Sequence, residues 1–80
     1  MDEITKEAII RDLRIYIGNE IRLARIARRM TLRSLSEATG ITPAALCKIE
    51  HGETDMKLST LAILRSALAL DITAKPLGAE

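Results

Sequence analysis

Residues 31–52, TLRSLSEATGITPAALCKIEHG, decide the fold. Thr31 is a good helix N-cap, because its hydroxyl can accept from the free N–H groups two or three residues on. A short helix from about Leu32 to Ala38 follows. Thr39-Gly40 ends it, since glycine tolerates the left-handed conformation of a sharp turn. Thr42 and Pro43 repeat the start signal: a hydroxyl cap, then a proline at the first helical position, where its missing N–H costs nothing. The next helix runs to about Glu50, and Gly52 closes it. Leu35, Ile41, Leu46 and Ile49 face a common core, and Ser36 is small where the two helices cross. Two short helices fixed by a tight glycine turn make a helix-turn-helix unit. Such a unit can lay its second helix in the major groove of DNA.

The segment on the N-terminal side, Ile4 to Met30, also reads as helix. Ile9, Leu13, Ile17, Ile21 and Ala24 recur at steps of three or four, with Arg and Glu opposite. Gly18-Asn19 either divides it into two helices or lies inside one at a cost of about 1 kcal/mol; the reading favours a break. On the other side, Glu53 to Lys57 reads as a loop. It leads into an apolar helix, about Leu58 to Ala69, in which Leu61, Ala62, Leu64 and Leu68 have the density of a buried element. From Leu70 to Leu77 the period changes to two, a short strand that Pro76 confines to a sheet edge. A lone strand needs a partner for its backbone, and the nearest one is the same strand of a second copy.

The whole is 80 residues, 48% hydrophobic and 29% charged, which is the size and balance of one globular domain. One Tyr with no Phe or Trp leaves the apolar content to Leu, Ile and Ala, which suits helices packed on helices. It also argues against a base-stacking platform for RNA or single strands. No apolar run approaches the ~18 residues of a membrane span, so no membrane partner is expected. A single Cys and a single His exclude a four-ligand zinc site. The lone thiol fits a reducing cytoplasm. Cys47 and His51, four apart, read as a surface pair rather than as metal ligands or a nucleophile. Glu50 reads as a structural carboxylate paired with an Arg. No cofactor and no catalytic residue is expected.

The net charge of +1 hides a division along the chain. Residues 1–10 carry −2 and residues 49–80 carry −2, while residues 11–48 carry +5, with seven Arg and Lys48 against three acids. A basic middle between acidic ends is the footprint of a polyanion partner.

From Ile17 to about Ile72, the segments IGNEIRLARIARRMTLRSLSEATGITPAALCKIEHGE and LSTLAILRSALAL resemble the Xre family, the phage repressor and Cro type of helix-turn-helix protein. The most specific part is ATGITPAALCKIEHG. The resemblance implies an all-α, lambda-repressor-like bundle of five helices. Here it carries an N-terminal helical extension (residues 1–16), a helix-turn-helix domain (17–70) and a short C-terminal β-strand and tail (71–80). It implies a homodimer on a palindromic double-stranded operator, at the nucleoid in the cytoplasm. The recognition helix falls on Pro43–Glu50, with Thr42, Pro43, Ala44, Ala45 and Lys48 at base- and backbone-facing positions and His51 at its end. Arg28, Thr31 and Arg33 fall where phosphates are held. Pro43 and Ala44 stand where the phage proteins often use Gln, so Lys48 is the one strong base donor and DNA shape takes a larger share. The dimer interface falls on Leu70, Ile72, Ala74 and Leu77. The tail LALDITAKPL resembles the ending of HipB-type antitoxin members, in which this strand pairs across the dimer axis. Three functions follow in order: a repressor that is the antitoxin of a toxin–antitoxin operon, with a toxin protein as partner; a stand-alone transcriptional or phage repressor; and a protein-binding helical module.

Overall fold

The computed structural model describes residues 3–71, with side chains from Thr5 onward. Four helices account for these residues: α1 (Glu3–Ala27), α2 (Leu32–Thr39), α3 (Pro43–Glu50) and α4 (Leu58–Leu68). α3 packs against both α1 and α2, and α4 also touches both. One core forms where they meet, from Ile21 of α1, Leu35 of α2, Leu46 and Ile49 of α3, and Leu64 and Leu68 of α4. Ile17, Ala24, Ile41 and Leu61 are half-buried around it.

The local signals of α2 and α3 act as the residue types dictate. The Thr31 hydroxyl accepts from the Ser34 N–H at 3.0 Å, and the Ser34 hydroxyl accepts from the Thr31 N–H at 2.9 Å, a reciprocal capping box. Gly40, at φ 78°, ends α2, and its N–H donates to the Ser36 carbonyl. The Thr39 hydroxyl donates back to the Leu35 carbonyl at 2.8 Å and accepts the Ile41 N–H at 3.2 Å, so one side chain holds the turn. Thr42 caps α3 by accepting from the Ala45 N–H at 3.2 Å, with Pro43 in the first turn.

Several expectations are corrected. The chain does not break at Gly18-Asn19, so the described residues hold four helices and not five. The glycine lies inside α1 because α3 crosses it: a Cβ at Gly18 would collide with the Ile49 carbonyl oxygen and reach the Glu50 carbonyl oxygen at 2.9 Å. The inward face of α1 also differs. Ile21 is buried and Ile17 and Ala24 are half-buried, but Ile9 and Leu13 are exposed, and Ile10 takes the inward place at the N-terminal end. Ala62 of α4 is likewise exposed. The expected strand positions Ile72, Ala74 and Leu77 lie outside the described residues, so neither the strand nor the interface placed on it is described. Among the described residues no strand occurs, and Leu70 is half-buried in the coil after α4.

α1 stops three residues short of the expected Met30, without a glycine. Arg29 adopts φ 55°, its N–H donates to the Ile26 carbonyl, and the Met30 N–H reaches back to the Arg25 carbonyl at 3.1 Å. This is the Schellman closure normally built on glycine. α4 ends the same way on Ala69 at φ 48°, with the Leu70 N–H on the Arg65 carbonyl at 2.9 Å. A side chain in this conformation carries strain of about 1 kcal/mol. Ala69→Gly therefore raises stability by about 1 kcal/mol in urea titration, against the usual penalty for glycine; a loss would show that no strain is stored there.

Candidate nucleic-acid interface

α3 buries Leu46, Ile49 and Glu50 and turns the rest outward. Pro43, Ala44, Lys48 and His51 are exposed with the capping residue Thr42, while Ala45 is half-buried at the edge. The helical period brings Pro43, Ala44, Cys47, Lys48 and His51 onto one face, so the structure adds Cys47 to the expected set. The reading of its chemistry as a surface pair had set it aside. His51 Nδ1 lies 2.7 Å from the Cys47 carbonyl oxygen and 3.7 Å from its sulfur. The ring is thus engaged with the backbone at one nitrogen. Among the described residues no group of three or more potential metal ligands occurs.

The orientation of this face is fixed from behind. Glu50, on the buried side of α3, accepts from Arg25 of α1 at both oxygens: Nε to Oε2 at 2.7 Å and Nη2 to Oε1 at 3.0 Å. The third donor, Arg25 Nη1, reaches the Met30 carbonyl at 2.8 Å, so one guanidinium also ties down the turn leading to α2. The side chains are 14% and 3% exposed. Hydrogen bonding to Glu50 holds the Arg25 guanidinium above its ordinary pKa, while burial opposes it. Glu50 is thus the structural carboxylate expected from the sequence, and its partner is an arginine of the first helix.

Around the exposed face the charge is positive. Arg28 and Arg29 are exposed in the bend after α1, Thr31 is exposed at the start of α2, and Arg33 is exposed in its first turn. Arg28 Nη1 donates to the Ala24 carbonyl at 3.3 Å. Neither α2 nor α3 has an acidic residue in its first turn, so the positive ends of both helix dipoles stand uncompensated. On the other flank, a cleft of about 540 Å³ runs beside Lys48 and is lined by Thr54, Lys57 and Thr60, with the carboxylate of Asp55 among them. The two threonines and the lysine were missed by sequence reasoning. Thr54 and Lys57 belong to the 53–57 loop and Thr60 to the first turn of α4, and no local pattern records how that loop folds back along α3. Cations and hydroxyls beside an outward-facing helix are the groups that hold the phosphates of a duplex when such a helix enters its major groove. Among the described residues no helix is long and apolar enough to cross a membrane.

Residues 21–74 match the helix-turn-helix family. Over 61 residues the chain is 34% identical to an uncharacterized HTH-type transcriptional regulator of Sinorhizobium fredii, an alignment covering 76% of this chain. It covers 31% of the relative, so the chain spans about a third of the length of the curated protein it matches. No solved structure matches. With more than half of its length inside the family's match and its two short helices joined as the family's description requires, the chain belongs to the helix-turn-helix family.

Proposed function

We propose that this chain is a DNA-binding transcriptional regulator that reads double-stranded DNA with the exposed face of α3. The observation that carries the reading is the face itself. It presents Lys48 among small side chains, is held rigidly by the Arg25–Glu50 fork, and is flanked by Arg28, Thr31 and Arg33. The relative described as a transcriptional regulator supports it. Thr42, Pro43, Ala44, Ala45, Lys48 and His51 form the groove-facing set in this proposal. Few of them can donate to a base edge, so backbone contacts and DNA shape supply much of the discrimination.

Duplexes selected by this protein from a random library, beside scrambled duplexes, provide the test by fluorescence anisotropy at several salt concentrations. Lys48→Ala weakens binding to the selected duplex about tenfold and leaves the scrambled one nearly unchanged, as loss of a base contact does. Arg33→Ala and Arg28→Ala weaken both duplexes alike and lower the salt slope by about one each. Parent-like binding by all three variants would place the interface elsewhere.

The finer reading is a repressor that acts as a homodimer in the cytoplasm and serves as the antitoxin of a toxin–antitoxin operon. The resemblance of LALDITAKPL to antitoxin endings supports it. Under this reading Leu70, Ile72, Ala74 and Leu77 contribute to the dimer. Purification of the tagged protein from its native operon recovers a second protein near one-to-one if this holds. Recovery with promoter DNA alone makes it a stand-alone repressor.

A further inference from the structure

His51 is the chain's single histidine. It caps the C-terminal end of α3 and is exposed on the face that carries Ala44, Cys47 and Lys48. One contact fixes the chemistry of its ring. Nδ1 lies 2.7 Å from the Cys47 carbonyl oxygen, nearer than the 3.7 Å to the Cys47 sulfur. A carbonyl oxygen only accepts, so at this distance Nδ1 carries the proton. A flipped ring would set a carbon there, closer than carbon and oxygen pack. In the neutral ring Nε2 is then bare: a lone pair, not a donor.

Nothing in the protein engages that nitrogen. Among the described residues no hydrogen bond reaches Nε2. Lys48 stands one turn before it, and Glu53 follows two residues on, its N–H donating to the Lys48 carbonyl at 2.9 Å. Behind this end of α3, Ile15 and Gly18 of α1 lie against Gly52 and against Ile49 and Glu50. The charged residues of α1 at helical steps from those two are Arg11, Arg14, Arg22 and Arg25. α2, also packed on α3, carries Arg33 and Glu37. Among the described residues none of these pairs with His51; Arg11 lies by Asp12, and Arg25 holds Glu50. A proton arriving at Nε2 therefore has no acceptor within the protein.

A recognition helix reaches base edges with its N-terminal residues. α3 is about 12 Å long, so His51, at the opposite end of the exposed face, stands towards the rim of the groove where the phosphates run. Phosphate oxygens only accept, and a bare Nε2 offers them nothing. From this we infer that His51 is a proton-dependent phosphate contact: one proton passes from solvent to Nε2 as the duplex binds, and the cationic ring then donates to a phosphate oxygen. Nδ1–H keeps the Cys47 carbonyl in both forms, so the ring stays aimed. The complex holds one proton more than its free components, so affinity is highest at low pH and falls as pH rises through the histidine range. The inference rests on the DNA-binding reading of α3 and adds a pH response to it.

Two measurements test it. Long-range nitrogen–proton correlation spectra of the free chain at about pH 8.5 identify the tautomer of the one histidine, with Nδ1 protonated and Nε2 bare. The reverse assignment overturns the inference without any DNA present. Fluorescence anisotropy with the selected duplex, at constant ionic strength, shows parent affinity rising about tenfold from about pH 8 to about pH 6, as one hydrogen bond to a charged group supplies. His51→Ala, at an exposed position that keeps the fold (checked by circular dichroism), stays at the weaker level throughout. His51→Arg, a charged donor at every pH, stays at the tighter level throughout. Cys47→Ser retains the carbonyl and the parent profile. At the lower pH the parent's salt slope exceeds that of His51→Ala by about one. A parent profile flat in pH, or a rise that persists in His51→Ala, overturns the inference while DNA binding stands. Affinity that rises with pH instead makes Nε2 an acceptor for a base amine and also overturns it. A parent that binds no duplex at any pH overturns the DNA-binding reading, and this inference with it.

Discussion

Glu50→Ala destabilises this domain by about 3–5 kcal/mol. The substitution leaves the Arg25 guanidinium, 14% exposed, with two of its donors facing no acceptor inside the contact between α1 and α3. Removing one partner of a buried pair costs about 3–5 kcal/mol, since the remaining charge cannot recover its hydration. A domain of this size is stable by only about 4–12 kcal/mol at 0.05–0.15 kcal/mol per residue. Urea titration followed by circular dichroism should thus show a midpoint lowered by about a quarter or more, reaching a largely unfolded protein where the parent stands near ~4 kcal/mol. The double variant Arg25→Met, Glu50→Met recovers much of the loss, because an apolar pair of similar volume avoids both desolvation terms. Recovery remains incomplete, because the bond from Arg25 to the Met30 carbonyl is also lost. A single-variant cost under about 1 kcal/mol would reduce the fork to an ordinary surface ion pair. The arginine's pKa is raised on folding, so its contribution is fully present below the unfolded value and lost only above it. Moving from about pH 7 to about pH 10 should leave that contribution intact.

This fork also marks what the sequence could and could not reveal. Thr31, Thr39-Gly40, Thr42-Pro43 and Gly52 are local signals: each acts on backbone groups within a few residues, so each is legible from the chain alone. The same holds for Lys48 and its neighbours, whose exposure follows from helical period once Leu46 and Ile49 are set inward. That Glu50 would pair with an arginine was readable from its place among basic residues. That the arginine would be Arg25, 25 residues away, depends on how α1 crosses α3. The end of α1 was illegible for another reason: the left-handed residue there is Arg29, which carries no turn signal, and packing overrides its preference; α4, expected to run to about Ala69, ends at Leu68 with Ala69 as its left-handed cap. Ile9 and Leu13 continued the helical period of the core without entering it. A 25-residue helix outlasts the short helices α3 and α4 it packs against, so periodicity cannot say which of its apolar faces turns inward.

Gly18→Ala is the sharpest case of tertiary contact reversing a local rule. In an isolated helix the change stabilises by about 1 kcal/mol, since alanine is the better helix former. Here α1 and the C-terminal end of α3 meet backbone to backbone. The added Cβ would collide with the Ile49 carbonyl oxygen and lie 2.9 Å from the Glu50 oxygen and 3.1 Å from the Glu50 carbonyl carbon. Those atoms belong to the last turn of α3 and cannot swing aside as a side chain does. The helices must separate, which pulls on the Arg25–Glu50 fork two helical turns further along α1 and loosens Ile21 from the core. The expected cost is about 3 kcal/mol, at the upper end for overpacking, or a fall in melting temperature of roughly 12–24 °C for a domain this small. Gly40→Ala serves as the control. At φ 78° with nothing within 4 Å of the added Cβ, it carries backbone strain alone, about 1 kcal/mol. The tight spacing predicts that Gly18→Ala is the more damaging of the two and that it also weakens DNA binding, because α3 no longer sits where its neighbours hold it. Thermal melts of the two variants settle the order. If Gly18→Ala melts at or above the parent temperature, the helices do not meet as closely as their backbones are placed, and the long helix keeps its glycine for some reason other than contact with α3.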